Sequence, residues 1–228
     1  MPKNRDSEAR AARREANRQR NEPPRRSLLE EIGNAVTHGV GALLSLAGLV
    51  FLLLKSDTAA KIAAALVYGL CLFVLFSMSC LYHAFRSGSK VKRLWRRFDY
   101  ISIYLLIGGT FAPLLLVYWG NALGLWLFIA QWAIIVTGVT FVGVFGPGRL
   151  KGMHTALFIA LGWSGLIFLP DMVRDDLPLF WTILGGGVLY TVGILPFMLR
   201  RRGAHFLWHI FVLLGALAHW LGIYLFVY

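Results

Sequence analysis

The stretch VTHGVGALLSLAGLVFLLL, residues 36–54, contains no Asp, Glu, Lys or Arg and consists mainly of Leu, Val, Ala and Gly. A helix needs about 20 predominantly apolar residues to cross the hydrocarbon core of a bilayer. Six more runs of this kind follow, at residues 61–83, 100–119, 122–144, 153–170, 179–199 and 205–227. The sequence therefore predicts an all-α membrane protein built as a bundle of seven transmembrane helices.

The division between the third and fourth runs depends on a short break, because only Gly120 and Asn121 separate them. Their combined length is about twice one crossing, which favours two helices over one. A bundle of six spans is the main alternative. Pro113 and Pro196 lie inside runs, where we expect helix kinks whose freed carbonyls are satisfied by neighbouring helices.

The composition points to lipid as the surrounding solvent. Of the 228 residues, 57% are hydrophobic and only 15% are charged, which is too apolar for a soluble domain of this size. The net charge of +12 does not indicate a nucleic-acid partner, because the basic residues lie in short flanks between the apolar runs. Of the 23 Lys and Arg, 20 lie on the same side as the N-terminus in the seven-span arrangement. This asymmetry predicts a cytoplasmic N-terminus and an outside C-terminus.

The chain divides into two regions. Residues 1–29 are rich in charge, almost lack large apolar side chains and carry Pro23 and Pro24 near their end. We expect this basic N-terminal tail to be disordered or to lie on the membrane surface. Residues 30–228 form the predicted seven-helix transmembrane domain.

Four ionisable residues fall at the same predicted side of the membrane. His83 ends the second run, Asp99 immediately precedes the third, and His205 and His209 begin the seventh. Ionisable groups at membrane depth are costly, so their presence is a hypothesis of function by default. Their convergence indicates a site near the cytoplasmic face.

The histidines form a pattern typical of a metal site. His205 and His209 are four residues apart, so they project from one helix face and can grip one ion, with His83 as a third ligand. Three protein ligands leave a fourth position open, as in catalytic zinc sites. Ser79 and Asp99 are then candidates for holding the metal-bound water and moving its proton. The alternative is that His205 and His209 are two histidines at the membrane interface that bind no metal. If they do bind one, imidazole ligands are also compatible with iron, nickel and copper.

The polar residues at the start of the first run are expected to have structural roles. Asn34 and His38 share a helix face at the start of the first run. They could line the same cavity, but the pattern favours hydrogen bonds that tie this helix to its neighbours. Glu30 and Glu31 precede the run and are expected to face solvent, where they can pair with the basic flanks.

Two further histidines are excluded from the metal site. His219 lies roughly 15 Å along the helix from His209, so we expect it to form an internal hydrogen bond instead. His154 stands alone at the start of the fifth run and is expected to lie at the interface. Gly108, Gly109 and residues 185–187 are expected to allow close helix packing.

Four segments together resemble the haemolysin III family, the bacterial branch of the progestin and adipoQ receptor superfamily that includes the adiponectin receptors. They are EEIGNAVTHGVG (30–41), SCLYH (79–83), FDYISIYLLIGGTFAP (98–113) and HFLWHIFVLLGALAH (205–219). The resemblance covers residues 30–228 and excludes the basic extension before Ser27.

The resemblance implies a Zn²⁺ ion on His83, His205 and His209, with Asp99 contacting the zinc through water and Ser79 as the motif serine. It also implies a multi-pass protein of the bacterial inner (plasma) membrane with lipids as its partners. The similar eukaryotic receptors are linked to hydrolysis of ceramide-like lipid amides, so a zinc-dependent lipid amide hydrolase in membrane lipid homeostasis is one expectation. A non-enzymatic regulator of membrane fluidity with structural zinc and a pore-forming haemolysin-like protein are the alternatives. The oligomeric state is left open.

Overall fold

The computed structural model describes residues 2–199 and 201–228, and these fold into helices joined by short loops with no β-strand among them. The α-helices are α1 (Pro2–Arg20), α2 (Leu28–Leu54), α3 (Ala59–Ala84), α4 (Lys90–Pro113), α5 (Ala122–Phe145), α6 (Lys151–Trp163), α7 (Leu169–Asp175), α8 (Leu177–Met198) and α9 (Ala204–Phe226). A π-helical turn, Leu114–Tyr118, extends α4, and a 3-10 turn, Ser164–Phe168, joins α6 to α7.

Side-chain caps fix where the helices begin. The residue before each of five helices accepts a hydrogen bond from the backbone N–H three positions later, which satisfies one of the donors left free at a helix start. These caps are Ser27, Thr58, Ser89, Asn121 and Asp176. The caps at Ser27 and Ser89 lie well before the apolar runs at 36 and 100, so α2 and α4 extend beyond the hydrocarbon core into the polar region.

Seven helical segments are long and apolar enough to cross a membrane, which confirms the all-α architecture with seven candidate spans. They are Leu28–Leu54, Ala59–Ala84, Lys90–Tyr118, Ala122–Phe145, Lys151–Asp175, Leu177–Met198 and Ala204–Phe226. We call the end of the bundle where α2 and α9 begin and α3 ends the N-terminal face, and the opposite end the C-terminal face.

The break between the third and fourth spans is a tight reversal. Pro113 has no N–H to donate, and the helix continues after it as the π-helical turn to Tyr118. Gly120 then adopts a φ of 54°, which favours glycine, and Asn121 caps α5. The kinks predicted at Pro113 and Pro196 stay predictions: the π-helical turn begins directly after Pro113, and Pro196 lies in the last turn of α8, two residues before the helix ends.

The core of the bundle forms around α3. Tyr68, Leu72 and Phe76 of α3 are buried among apolar side chains of α2, α4 and α9. Many large apolar residues face outward on the other helices, including Leu43 at 70% and Leu195 at 65% exposure. Such a belt is what a protein surrounded by lipid presents.

An N-terminal strap, residues 21–26, crosses the N-terminal face. The Asn21 amide donates to the carbonyl of Phe145 at 3.0 Å, and its Oδ1 accepts from the backbone N–H of Gly148 at 2.9 Å. Arg96, which is buried, donates to the carbonyl of Asn21 at 3.0 Å. The strap is therefore fixed to the ends of α4 and α5. That the preceding α1 lies on the membrane surface stays a prediction.

Glycines allow close approach at several helix crossings. A Cβ on Gly109 would lie 2.5 Å from the Cβ of Cys71, and one on Gly186 would lie 2.5 Å from the His219 ring. Gly185 has nothing within 4 Å of the same position, so its expected role in packing is wrong. Only one face of the glycine triplet is in tight contact, because helical neighbours one residue apart point in different directions.

We expect Gly186→Ala to destabilise the protein by about 1–3 kcal/mol, the usual effect of overfilling a packed site. The His219 ring cannot move away freely, because its Nε2 lies 3.0 Å from the carbonyl of Ile183 and its face packs on Tyr190. Thermal unfolding in detergent should show a lower midpoint for Gly186→Ala. Gly185→Ala is the matched control and should leave the midpoint unchanged or raise it. Equal midpoints for the two variants would contradict the tight α8–α9 contact.

Candidate metal centre

Helix α9 presents two histidines on one face at its first two turns. The ring centroids of His205 and His209 are 4.9 Å apart, as expected for residues one turn apart. His209 is 1% exposed, and its ring stacks on His38 of α2 with centroids 3.7 Å apart. Packing therefore holds the second of the two rings in place.

Helix α3 brings the third histidine to the same point. His83 lies in the last turn of α3, which ends at Ala84 because Phe85 is extended. The Nε2 atoms of His83 and His205 are 3.3 Å apart, and one nitrogen from each of the three histidines lies within 4.8 Å of the others. The convergence of His83, His205 and His209 predicted from the sequence is confirmed.

The cluster suits a metal ion by its chemistry, and one pair of its nitrogens has the spacing of two ligands on one ion. In a tetrahedral site with Zn–N bonds of about 2.0–2.1 Å, two ligand nitrogens lie roughly 3.3 Å apart, which matches the His83–His205 separation. Imidazole is a ligand for zinc, copper, iron and nickel. The cluster could therefore hold a transition-metal ion.

A carboxylate fixes the orientation of His83. Oε2 of Glu31 lies 2.6 Å from Nδ1 of His83, so the carboxylate accepts the proton on Nδ1. In the neutral ring this leaves the lone pair on Nε2, the atom that faces His205. Metal-binding histidines commonly bond to a carboxylate through their other ring nitrogen.

A buried ion pair supports that carboxylate. Nζ of Lys92 in α4 lies 3.1 Å from Oε1 of Glu31, and the Lys92 side chain is fully buried. Lys92 also donates to the backbone carbonyl of Phe85 at 3.0 Å. Because α2, α3 and α4 each supply one member, this Glu31–His83–Lys92 cluster ties the first three spans together.

The expectation that Glu31 faces solvent is wrong, since it is 7% exposed, whereas its expected pairing with the basic flanks is confirmed by Lys92. Helix α2 begins at Leu28, and Glu31, Asn34 and His38 follow on one face at spacings of three and four residues. Asn34 lies 3.4 Å from Nδ1 of His83, and His38 stacks on His209. Both side chains therefore pack against the cluster, but among the described residues the expected tie by hydrogen bonds is not found for His38, whose contact is ring stacking. The E-x2-N-x3-H spacing places Glu31 on the same helix face as these two residues, which is the one signal in the sequence for its position.

Ser79 and Asp99 lie together on adjacent helices near the triad. Ser79 is buried one turn before His83 on α3, and its hydroxyl is hydrogen-bonded with the half-buried carboxylate of Asp99 on α4. Among the described residues, no hydrogen bond or ion pair joins either side chain to a histidine of the triad. Their proximity to each other is established, and their roles in chemistry stay predictions.

The two remaining histidines, His219 and His154, are both buried outside the cluster. His219 is bonded through Nε2 to the carbonyl of Ile183 at 3.0 Å, which confirms an internal hydrogen-bonding role. His154 is fully buried, with Nδ1 2.8 Å from the hydroxyl of Tyr104, so it faces the interior of the bundle, and its position at the membrane interface stays a prediction. A single histidine at a span end gives no periodicity from which burial can be read.

The sequence matches the family model described as Haemolysin-III related over residues 26–220, which is most of the chain. The chain belongs to the haemolysin III family. It is 35% identical over 192 residues to Hemolysin-3 of Bacillus cereus, covering 82% of this chain and 87% of that protein. It is 32% identical over 197 residues to the Hemolysin-3 homolog of Bacillus subtilis (strain 168), covering 84% and 92%.

A more distant similarity extends to animals. The Adiponectin receptor protein of Drosophila melanogaster is 26% identical over 235 residues, covering 85% of this chain and 50% of that protein. The resemblance to the adipoQ receptor superfamily is therefore confirmed. Membership of the haemolysin III family and the seven apolar helices make the chain a multi-pass membrane protein, and its Bacillus relatives indicate the plasma membrane.

Proposed function

We propose that this haemolysin III protein is a zinc-dependent hydrolase of lipid amides, with its N-terminus in the cytoplasm and its C-terminus outside. The positive-inside rule supports this orientation, since nearly all Lys and Arg flank the N-terminal face. The His83–His205–His209 cluster would then lie near the cytoplasmic leaflet. His83, His205 and His209 would hold the zinc.

One observation carries the lipid assignment. An apolar cavity of about 170 Å³ lies between α4, α6, α8 and α9 and is lined by Trp208 and Val212, which flank His209 along α9. Leu75, one turn before Ser79 on α3, also lines it. An acyl chain in this cavity would have its polar end directed toward the histidines.

The chain's own residues supply the remaining functions. Zinc in this cluster would supply Lewis acidity and activate water for attack on an amide carbonyl. The Asp99 carboxylate would take the proton released from the water and pass it to the leaving amine, acting first as base and then as acid. The Ser79 hydroxyl would hold Asp99 in position, and Glu31 would keep the His83 lone pair on Nε2.

We expect Asp99→Asn to lower the rate of lipid amide hydrolysis about 10²–10⁴-fold, because the amide cannot accept the proton. Purified, zinc-loaded protein should be assayed against a panel of N-acyl lipids that includes ceramides, with zinc content measured on each preparation. Asp57→Asn, at the C-terminal face, makes the same change of side chain and should leave the rate unchanged. A zinc-loaded wild type that hydrolyses no lipid in the panel would contradict the proposal.

A structural role for zinc is favoured by the links that α2 makes with the cluster. Glu31 bonds to His83, and His38 stacks on His209, so a metal ion would join α2, α3 and α9 at one point. A non-enzymatic regulator of membrane fluidity would use the ion in this way. In a deletion strain, Asp99→Asn should then restore membrane fluidity as well as wild type does, whereas a hydrolase would lose that capacity.

A further inference from the structure

A second cavity opens at the N-terminal face beside the Glu31–His83–Lys92 cluster. It has a volume of about 520 Å³ and lies between the strap, the first turns of α2 and the end of α3. Arg26 and Arg86 line it, together with Glu31 and His83. The size is ample for a polar headgroup.

The two arginines of this cavity lack acidic partners. Within the described part of the chain, no carboxylate lies within 4.0 Å of either guanidinium. Arg26 donates one hydrogen bond, to the hydroxyl of Tyr82 at 3.2 Å, which leaves most of its donors free. The carboxylate in the lining, Glu31, is already bonded to His83 and Lys92.

Three basic residues of the neighbouring helix α4 already have partners. Arg93 is paired with Glu22 at 3.1 Å, Arg96 donates to the backbone of the strap, and Arg97 donates to the carbonyl of Gly143. Free guanidiniums around a cavity match the geometry of phosphate oxygens, which arginine binds with two parallel hydrogen bonds.

The other wall of the cavity is apolar and open to lipid. Leu28, Ile32 and Val36 line it at successive turns of α2 and are 75%, 50% and 59% exposed. A headgroup held by Arg26 and Arg86 would therefore have its acyl chains directed along this stripe into the membrane. A soluble phosphate compound would gain nothing from the stripe.

We propose that this cavity is a binding site for the phosphate headgroup of a membrane lipid, held by Arg26 and Arg86 beside the histidine cluster. Binding of the phosphate by the two arginines requires neither zinc nor hydrolysis. Arg26 is close enough to interact electrostatically with His83, His205 and Asp99, so a bound phosphate would change the charge felt at the cluster.

Isothermal titration calorimetry of the full chain in uncharged detergent tests the site, with dihexanoyl phosphatidic acid as the probe. We expect saturable binding that Arg26→Gln and Arg86→Gln each weaken about tenfold or more, since a hydrogen bond to a charged group has roughly that effect. Arg86 is exposed, so its variant should fold even if Arg26→Gln does not. Dihexanoylglycerol, which lacks the phosphate, should not bind.

Arg202→Gln is the matched control, because it removes one positive charge from the same face without lining the cavity. An equal loss of affinity in Arg202→Gln would overturn the proposal in favour of unspecific charge attraction. Equal binding of dihexanoylglycerol would show that phosphate is not recognised. Inorganic phosphate binding as tightly as the lipid would overturn the lipid assignment. Repeating the titration on chelator-treated protein, with zinc content and hydrolysis assayed in parallel, separates this result from the proposed enzymatic function.

Discussion

Replacing any one of His83, His205 and His209 with Ala is expected to reduce bound zinc from nearly one ion per chain to background. Each substitution leaves two imidazoles, too few for a stable site with three protein ligands. The variants act through different helices, since His83 belongs to α3 and the others to α9. Elemental mass spectrometry on detergent-purified wild type and variants makes the measurement.

His154→Ala is the control for this experiment. It removes another buried imidazole near the N-terminal face, bonded to Tyr104 and not part of the cluster. Its zinc content should equal that of wild type. Zinc that persists in all three triad variants would place the metal elsewhere. A folded wild type that binds another metal in preference to zinc would refute zinc as the ion, while the three histidines would still be the metal site.

Glu31→Ala is expected to destabilise the fold by about 3–5 kcal/mol, because it leaves the charge of Lys92 buried without its partner. Lys92 is fully enclosed, and the carboxylate 3.1 Å away is its acidic partner. The same substitution frees the His83 ring, which should weaken zinc affinity about 10–100-fold. Thermal unfolding and competition with a calibrated chelator measure the two effects separately.

Two controls isolate the ion pair. Glu30→Ala removes the adjacent carboxylate, which forms no ion pair among residues 2–199 and 201–228, and should change neither property. The double variant Glu31→Gln with Lys92→Met removes both charges and should be more stable than Glu31→Gln alone. If Glu31→Ala unfolds at the same temperature as Glu30→Ala, the pair is not a stabilising element.

Much of the fold follows from the length of the apolar runs. In a bilayer the backbone N–H and C=O groups must form hydrogen bonds within the protein, and a helix provides them. Apolar runs of 19 to 23 residues such as 36–54 and 205–227 therefore predict spans directly. The sequence also predicts that His205 and His209 lie side by side, because residues four apart on a helix share a face. His83 could be added because span ends alternate between the two membrane faces.

The surroundings of the cluster could not be predicted in the same way. Charged residues just outside an apolar run are compatible with solvent, and only the rotation of α2 and α4 about their axes directs Glu31 and Lys92 inward. That rotation is set by packing between helices distant in sequence. The position of Arg26 depends on the strap, which Asn21 fixes to the end of α5, and no periodic pattern reports such a contact.

The distribution of the cluster along the chain also determines when it can form during synthesis. Glu31, His83 and Lys92 belong to α2, α3 and α4, which leave the ribosome well before α9, whereas His205 and His209 belong to that last helix. Domains and their parts fold in the order of emergence when contacts permit. A nascent chain can therefore assemble the carboxylate, its lysine and one imidazole early, but the three histidines can come together only when translation is nearly finished. Premature termination before α9 would leave an inserted protein with one of the three histidines, so a metal bound by all three would report that the whole bundle has been made.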